Sequence, residues 1–472
     1  MRVHFLGAAR TVTGSMHVIE VNGKRVVLDA GLYQGHREEA FQRNKNVSPL
    51  ASGADAVVLS HAHMDHSGNL PSLVKNGFRG PIWSTAATIE LATALLKDSA
   101  HIQKQDAEYL NRQVAKAPPQ DPFAAKRKPV PPLYDEKDVA ETVKLMRPKG
   151  YREPFEVVPG CRVTFYDAGH ILGSAVTLLQ LEEGRKKLTV GFTGDLGRSG
   201  QPIIRDPVRP PWTIDYLLTE STYGDRVHEA IPGLKRKLRE IVKQTFDRGG
   251  RVLIPAFSVG RTQNVVHYLN QLFQEGELPR IPIYVDSPLS VDATEAYRHH
   301  PECFDEETMR FMQEAGDPFG FKLLTYTRTA DESKALNDKR GPAVIIASSG
   351  MCEAGRILHH LKHSVARPEN VVLIVGYQAE HTLGRRLLEH AQTVRILGDE
   401  IPVRCRVEKI NGLSAHADRE ELTSYVKNVE GLRGCFVVHG EEKVSLALAE
   451  RLKELQVEGV HVPKPGESVE LT

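Results

Sequence analysis

The chain has 472 residues, which is enough for roughly two to four domains. Its 61 lysines and arginines nearly balance its 60 aspartates and glutamates. This balance excludes a general polycation, so a nucleic acid would have to bind in a local groove of positive charge. A hydrophobic content of 40% excludes a disordered chain.

Two further exclusions concern the compartment. No apolar run approaches the roughly 18 residues of a membrane span, and a strand-like segment begins at once with Val3 and Phe5 in place of a secretory leader. The five cysteines are scattered without CxxC spacing, which indicates neither a disulfide framework nor a thiolate zinc site. We therefore expect a cytoplasmic protein without a membrane segment.

Short apolar runs that end in a glycine or a polar turn predict buried strands along the first 219 residues. They cover Arg25–Asp29, Ala56–Ser60, Arg162–Tyr166, Leu188–Phe192 and Tyr216–Thr219. From about residue 235, strands alternate with helical stretches, which is the order of a parallel, doubly wound sheet. These strands are Val252–Pro255, Ile281–Val285, Ala343–Ala347 and Val371–Val375.

The last part of the chain has shorter predicted strands. They cover Val403–Val407 and Cys435–Val438, followed by an amphipathic helix over Val444–Leu455 and a final strand near Val460. The middle of the chain, with its different order of elements, is therefore expected to be a domain of its own.

The strongest chemical signal is the motif HAHMDH at residues 61–66, directly after a predicted strand. Alternate residues of an extended chain point to one side, so His61, His63 and Asp65 are expected to share a side, and His66 enters from the following turn. Four potential ligands in six residues indicate a metal site. Imidazole and carboxylate ligands without cysteine favour a catalytic zinc site over a structural one.

Six residues cannot complete two coordination spheres, so further ligands must come from later strand ends. The candidates are His170, Asp195 and His439, each of which follows an apolar run. Taken singly, each is explained equally well as a turn aspartate or a loop histidine. Together with the first motif they form a set.

In this order, HAHMDH, His170, Asp195 and the early Asp29 resemble the motifs of the metallo-β-lactamase superfamily. Glu220 in TESTYGD, His416 in LSAHAD, and His439 resemble the further motifs of its β-CASP branch, the RNA-processing nucleases. The similarity runs along essentially the whole chain. It implies an α/β protein: an αββα metallo-β-lactamase sandwich with an inserted, doubly wound parallel-sheet β-CASP domain.

The resemblance also implies the domain boundaries. Residues 1–212 would form the first part of the metallo-β-lactamase domain, 213–398 the β-CASP domain, and 399–472 the second part of the metallo-β-lactamase domain. A homodimer is left open.

The resemblance further implies two Zn²⁺ per chain. One would be bound by His61, His63 and His170, the other by Asp65, His66 and His439, with Asp195 as the bridge. Asp29 would orient an imidazole ligand through its other nitrogen. A hydroxide between two metal ions can attack a phosphodiester at neutral pH.

The expected catalytic residues are Asp65, Asp195, Glu220 and His416. His416 paired with Glu220 is the expected proton donor to the leaving group. The alternative is that Glu220 caps a helix and His416 is a surface residue.

Phosphate contacts are expected from the inserted domain. Ser348 and Ser349 stand at one strand-to-helix turn, and Ser258 and Arg261 stand at another. Backbone N–H groups and a helix N-terminus bind anions at such turns, although a simple turn is the alternative.

Three other features leave their roles open. The segment Lys116–Asp138 is rich in proline and contains a basic triplet, which favours an exposed loop over an RNA-contacting arm. His359 and His363 share a helix face, but without a nearby carboxylate we favour a structural or RNA-facing helix. At His381 many relatives have glycine, so it either lines a cleft or is a tolerated surface substitution.

The expected function is a zinc-dependent ribonuclease that acts on single-stranded RNA in processing or decay, in endo mode, 5′-exo mode or both. One alternative is a hydrolase of a small ester or thioester, which would not need the inserted domain. A second is a non-catalytic RNA-binding partner, which would have lost metal ligands, whereas every one is present here.

Overall fold

A computed structural model of the chain describes residues 1–115, 130–211, 213–228, 233–410, 412 and 414–472. Tertiary contacts divide it into two units. Unit 1 comprises Met1–Leu196, Pro207–Val227 and His416–Thr472, and unit 2 comprises Gly197–Asp206 and His228–Ala415. The second unit therefore interrupts the first in sequence.

Unit 1 contains two mixed sheets. In spatial order, the first is formed by Ser468–Glu470, Arg2–Gly7, Met16–Val21, Lys24–Leu28, Ala56–Val58, Ile82–Ser84 and Met146–Pro148. The second is formed by Val460–His461, Gly434–Val437, Tyr216–Thr219, Lys186–Phe192, Ala175–Glu183, Cys161–Asp167 and Phe155–Val158. Buried side chains from both sheets form one core, with Phe5 and Ile19 from the first meeting Phe165, Val190 and Phe436 from the second. Each such side chain contributes about 1.5–3 kcal/mol by leaving water.

Unit 1 also contains helices. They are Arg37–Lys45, Pro49–Ser52, Met64–Ser67, Leu70–Lys75, Ala86–Ala115, Glu136–Leu145, Arg419–Lys427 and Glu442–Glu454. Leu422 and Leu448 of the last two helices pack with Val176 and Val437 on the outer face of the second sheet. The predicted αββα layers are confirmed.

Unit 2 is built on a six-stranded sheet in which every pair is parallel. Its strands, in spatial order, are Leu324–Thr327, Ile283–Asp286, Ala343–Ala347, Arg251–Pro255, Val371–Ile374 and Arg406–Lys409. Its helices are Leu234–Asp247, Arg261–Gln274, Pro288–His299, Glu306–Ala315, Ala330–Asp338, Ile357–Ser364 and Leu383–Leu388, with a 3₁₀ turn at Pro301–Cys303. The predicted alternation of strand and helix is confirmed.

The chain around residue 400 differs from the prediction. The strand predicted at Val403–Val407 is wrong in position, because a hairpin of Thr393–Ile396 and Asp399–Pro402 precedes a strand at Arg406–Lys409. That strand pairs in parallel with Val371–Ile374 at the edge of the unit 2 sheet. Its residues are partly exposed, so no apolar run marks it.

The contact-based units also differ in extent from the predicted domains. Residues 213–227 lie in unit 1, and residues 197–206 and 399–415 lie in unit 2. The predicted boundaries after residues 212 and 398 remain a prediction about functional domains.

Part of the predicted loop Lys116–Asp138 lies outside the described residues. Its end is helical, because Asp135 caps the helix Glu136–Leu145 in a capping box with Asp138. Among the helices that the structure describes, none is long and apolar enough to cross a membrane.

His381 has a backbone φ of +68° and is exposed, just before Thr382, which caps the helix Leu383–Leu388. This left-handed region favours glycine, the residue that the resemblance leads us to expect at this position. We predict that His381→Gly raises stability by about 0.5–1 kcal/mol. The thermal unfolding midpoint measures this.

A matched control is His359→Gly, an exposed histidine within the helix Ile357–Ser364. There glycine should lower stability by about 1 kcal/mol. A lower midpoint for His381→Gly would contradict the strain argument.

Candidate metal centre

Six of the predicted site residues stand within three residues of the end of a strand in unit 1. They are Asp29, His61, His170, Asp195, Glu220 and His439. Lys24–Leu28 pairs in parallel with Ala56–Val58, and Tyr216–Thr219 pairs in parallel with both Lys186–Phe192 and Gly434–Val437. Because parallel strands end on the same edge, each sheet delivers its polar side chains to one place.

The HAHMDH motif is not extended throughout. His63 is the N-cap of the short helix Met64–Ser67, so Asp65 and His66 lie in a helical turn. The expectation that Asp65 continues the extended alternation is therefore wrong, because the chain turns after His63. Gly31 allows this turn to pack closely, since a Cβ atom there would lie 1.6 Å from the Asp65 carbonyl oxygen.

One group of side chains converges from His61, His63, His170 and Asp195. His63 Nδ1 lies 3.2 Å from His61 Nε2 and 3.0 Å from His170 Nε2. Asp195 Oδ2 lies 3.4 Å from both of those Nε2 atoms. Ligand atoms about 2.0–2.1 Å from a tetrahedral zinc ion are about 3.4 Å apart, so these spacings suit one ion.

A second group converges from Asp65, His66 and His439. His66 Nε2 lies 3.0 Å from His439 Nε2, which lies 3.6 Å from Asp65 Oδ2. Asp195 Oδ1 is 3.1 Å from His66 Nε2. These donors suit a second cation.

Asp195 stands between the two groups. Its Oδ2 faces the first group and its Oδ1 faces the second, and the side chain is 1% exposed. Oδ1 lies 3.1 Å from His66 Nε2 and 3.4 Å from His439 Nδ1, but among the described residues it accepts no hydrogen bond. A buried carboxylate oxygen without a donor is costly, so the residues fit a bound metal ion.

The protonation of the first group suits metal binding. Burial lowers the pKa of His61, His63 and His170, and neighbouring imidazoles lower it further; the pKa of His63 falls to about 3. These rings are therefore neutral at pH 7, which is the form that binds a metal.

The second group carries more negative charge. Burial opposes protonation of His66, but the carboxylates of Asp195 and Asp29 outweigh it and raise its pKa well above the ordinary value. Burial would raise the pKa of Asp195, but the surrounding imidazoles hold it well below its usual range. In the metal-free protein, a proton on His66 therefore balances the negative charge of the Asp195 and Asp29 carboxylates, which a bound metal ion would otherwise balance.

Asp29 orients two predicted metal ligands, His66 directly and His61 through Ser60. Its Oδ2 lies 2.6 Å from His66 Nδ1, and it accepts hydrogen bonds from the Ser60 N–H at 2.7 Å and the Ser60 hydroxyl at 2.9 Å. Ser60 Oγ in turn lies 3.1 Å from His61 Nδ1. The outer ring nitrogens are thereby occupied, which leaves Nε2 of each ring for the centre.

Asp29 and His439 have backbone φ angles of +61° and +50°. Residues other than glycine adopt this region at a cost, and such residues are common at functional sites.

His416 and Glu220 form a pair beside the first group. His416 Nδ1 lies 3.2 Å from Glu220 Oε1, and its ring centroid lies 4.4 Å from that of His170. Burial lowers the pKa of His416, but the carboxylates of Glu220 and Asp195 outweigh this effect and raise it to about 9. Its closest approach to Asp195 is 3.9 Å, longer than the spacings within the first group.

Glu220 does not cap a helix. It follows the strand Tyr216–Thr219 and accepts hydrogen bonds from the N–H groups of Leu196 at 2.6 Å and Thr222 at 3.2 Å. Asp195, Glu220 and His439 also come close enough to hold a metal ion. The two N–H donors already use the Glu220 oxygens, so its pairing with His416 is the simpler arrangement.

The predicted phosphate contacts lie in unit 2, and the structure joins two of them. Ser348 Oγ donates to Ser287 Oγ at 2.9 Å, and Ser258 Oγ lies 3.2 Å from the same oxygen. Ser349 Oγ instead accepts from the N–H groups of residues 353 and 354. Arg261, the first residue of the helix Arg261–Gln274, is only 9% exposed.

Sequence reasoning missed three hydroxyls. Ser60 holds Asp29 and His61, Thr222 Oγ1 lies 3.2 Å from His439 Nδ1, and Ser287 links Ser258 with Ser348. Ser60 stands next to His61, and Thr222 stands two residues after Glu220, so proximity to a predicted site residue was the available signal for these two. Ser287 stands near no residue that was singled out.

The histidines of the helix Ile357–Ser364 divide into two kinds. His360 is buried and its Nε2 lies 2.6 Å from Asp286 Oδ2, whereas His359 and His363 are exposed. Within the described ranges, no group of potential metal ligands includes His359 or His363.

Three family models match the chain. Residues 9–256 match the metallo-beta-lactamase superfamily, and residues 262–387 match the Beta-Casp domain. Residues 400–463 match a Zn-dependent metallo-hydrolase RNA specificity domain. The chain belongs to the β-CASP branch of the metallo-β-lactamase superfamily. The predicted family and the predicted class of enzyme, a metal-dependent hydrolase, are confirmed.

Relatives of this β-CASP protein resemble it along nearly its full length. Ribonuclease TTHA0252 from Thermus thermophilus is 37% identical over 99% of this chain and 100% of its own. Transcription termination factor FttA from Methanocaldococcus jannaschii is 32% identical over 98% of this chain and 70% of its own. FttA from Methanosarcina mazei is 30% identical over 97% of this chain and 70% of its own.

A solved structure shares the fold of this β-CASP protein. A protein of unknown function from Enterococcus faecalis V583 is 12% identical, covers 100% of this chain and 99% of its own, and has a TM-score of 0.53. At this identity the likeness concerns the fold alone.

Proposed function

We propose that this protein is a zinc-dependent ribonuclease that hydrolyses phosphodiester bonds of single-stranded RNA in processing or decay. The observation that carries the proposal is that two groups of imidazole and carboxylate ligands meet at Asp195, with the His416–Glu220 pair beside them. The name of the Thermus thermophilus relative and the matched RNA specificity domain support RNA as the substrate.

We propose two Zn²⁺ per chain. His61, His63 and His170 would hold one ion, Asp65, His66 and His439 the other, and Asp195 would bridge them. When bound, the ions would supply a hydroxide nucleophile at neutral pH and stabilise charge on the phosphoryl oxygens. Asp29 would keep His66 oriented through the 2.6 Å contact.

The chain's own residues would handle the leaving group. Glu220 holds Nδ1 of His416, so Nε2 is the nitrogen available for donating a proton to the departing 3′-oxygen. The raised pKa keeps the imidazole protonated at neutral pH, which is the form that a general acid requires.

The RNA backbone beyond the scissile phosphate would be contacted by four residues of unit 2: Ser258, Arg261, Ser348 and Ser349. Ser258 has the best supporting geometry, because the Ser348 hydroxyl already donates to Ser287 Oγ, whereas Ser258 stands at the end of this set of hydroxyls. Arg261 is largely buried, so it would reach a phosphate only through its exposed fraction.

We also propose a cytoplasmic location, supported by five buried cysteines that form no disulfide. The mode of cleavage, endo or 5′-exo, and the homodimer stay predictions.

The test is digestion of RNA labelled at one end, in 5′-phosphate and 5′-triphosphate forms, with and without a strong chelator. We expect hydrolysis that the chelator abolishes; mononucleotides would identify exonuclease action and internal fragments endonuclease action. Small esters and thioesters serve as controls. Turnover of these substrates with no hydrolysis of RNA would overturn the proposal.

A further inference from the structure

We propose that Phe257, Ser258 and Tyr377 form a nucleotide subsite in unit 2. A base would stack on the aromatic rings, and Ser258 would donate a hydrogen bond to the adjoining phosphate. The inference rests on the proposed function, because RNA is the occupant. Within the described ranges three aromatic side chains are strongly exposed, and two of them are Phe257 at 44% and Tyr377 at 48%.

The two rings lie at the same edge of the parallel sheet. Phe257 follows the strand Arg251–Pro255, and Tyr377 follows its neighbour Val371–Ile374. The buried amide of Gln378 donates to the carbonyl oxygens of Tyr377 at 2.9 Å and Gly350 at 2.8 Å. The loop that carries Tyr377 is thus tied to the loop at Gly350 before any ligand arrives, which lowers the cost of binding.

Two glycines border the Phe257 ring. A Cβ atom on Gly350 would lie 2.9 Å from Phe257 Cδ2, and one on Gly376 would lie 4.0 Å from Cε2. Neither glycine has a positive φ, so the backbone conformation does not require glycine at these two positions. Their effect is that no side chain displaces or covers the ring from these positions.

The serine hydroxyls beside the rings have a defined direction. Ser287 Oγ accepts from the Ser348 hydroxyl at 2.9 Å and from the Ser290 N–H at 3.2 Å, which uses both of its lone pairs. Its own hydrogen must therefore go to Ser258 Oγ, 3.2 Å away. The hydrogen of Ser258 then has no acceptor in the part of the chain that the structure describes, and the chain of hydroxyls strengthens it as a donor.

An exposed ring followed in sequence by a hydroxyl donor matches the two parts of a nucleotide. Single-stranded RNA is recognised by stacking its bases on aromatic side chains while polar groups bind its backbone. Stacking is sequence-tolerant because every base has a π face. The subsite should therefore bind each of the four bases with similar affinity.

The test measures binding of a cleavage-resistant phosphorothioate oligoribonucleotide to the zinc-loaded protein by fluorescence anisotropy. Phe257→Ala should weaken binding by about 5- to 100-fold, and Phe257→Tyr, which keeps the ring, should restore most of the affinity. The matched control is Tyr109→Ala, which removes an even more exposed ring on the helix Ala86–Ala115 of unit 1 and should leave binding unchanged.

A second series places one abasic nucleotide at each position of the oligonucleotide. At one position, the abasic nucleotide should weaken binding to the wild-type protein. At the same position it should not weaken binding to Phe257→Ala any further. Likewise Ser287→Ala should weaken binding through Ser258, so the Ser258→Ala, Ser287→Ala double variant should lose no more than Ser258→Ala alone.

The subsite would be overturned if the losses of affinity from Phe257→Ala and from the abasic nucleotide were additive at every position, or if Phe257→Ala bound RNA as the wild type does. Either result would leave the ribonuclease proposal intact. Stronger loss for one kind of base would show hydrogen-bonded readout and overturn the stacking argument. A wild-type protein that binds no RNA would overturn the proposed function and the subsite with it.

Discussion

Replacing His416 with alanine should slow RNA hydrolysis by about 10²- to 10⁴-fold while both zinc ions stay bound. His416 stands beside the ligand groups and not within them, since its closest approach to Asp195 is 3.9 Å. The variant should lose the proton donor and keep the metal centre. Single-turnover rates and metal analysis of the same sample measure the two effects.

A substrate with sulfur in place of the scissile 3′-oxygen sharpens this test, because a thiolate departs with little help from a proton. It should recover much of the rate that His416→Ala loses. If the variant loses a zinc ion, or if sulfur gives no recovery, the general-acid role is wrong. His416 and Glu220 would then serve as a structural pair.

Replacing His439 with alanine should lower zinc content and activity together, and the sulfur substrate should recover nothing. Its Nε2 lies 3.0 Å from His66 Nε2 and 3.6 Å from Asp65 Oδ2, so its loss opens the second ligand group. We expect activity to fall at least as far as in His416→Ala. Metal analysis after gel filtration is the measurement.

His461 provides the matched control for His439. It lies in the same unit on the strand Val460–His461 and is half exposed beside Glu467. His461→Ala should retain zinc and activity. Full zinc content in His439→Ala would contradict the assignment of the second ligand group.

Most of the fold can be predicted from the sequence because its buried strands are short apolar runs that polar residues follow. Runs such as Leu188–Phe192 are buried except at Thr189, so they are mostly apolar, and a polar residue such as Asp195 follows within three residues of their end. The strand Arg406–Lys409 escaped this reasoning because it lies at a sheet edge with partly exposed, charged side chains. Edge strands bury too little surface to leave an apolar pattern.

The candidate site divides in the same way. The histidines and carboxylates of the site can be predicted from the sequence, because core packing alone does not explain four potential metal ligands among the six residues 61–66. Hydroxyls such as Ser60 and Ser287 are not, because serine is common in turns and acts here only through neighbours distant in sequence. The turn that moves Asp65 out of line with His63 also depends on tertiary packing, since Gly31 approaches it from another strand end.

The most direct test of the two-zinc account is titration of the metal-free protein with Zn²⁺, followed by single-turnover hydrolysis of end-labelled RNA at each step. Two ligand groups that share Asp195 predict no hydrolysis without metal and a rate that reaches its maximum at two equivalents per chain. Full activity in the metal-free protein, or a maximum at one equivalent, would contradict it.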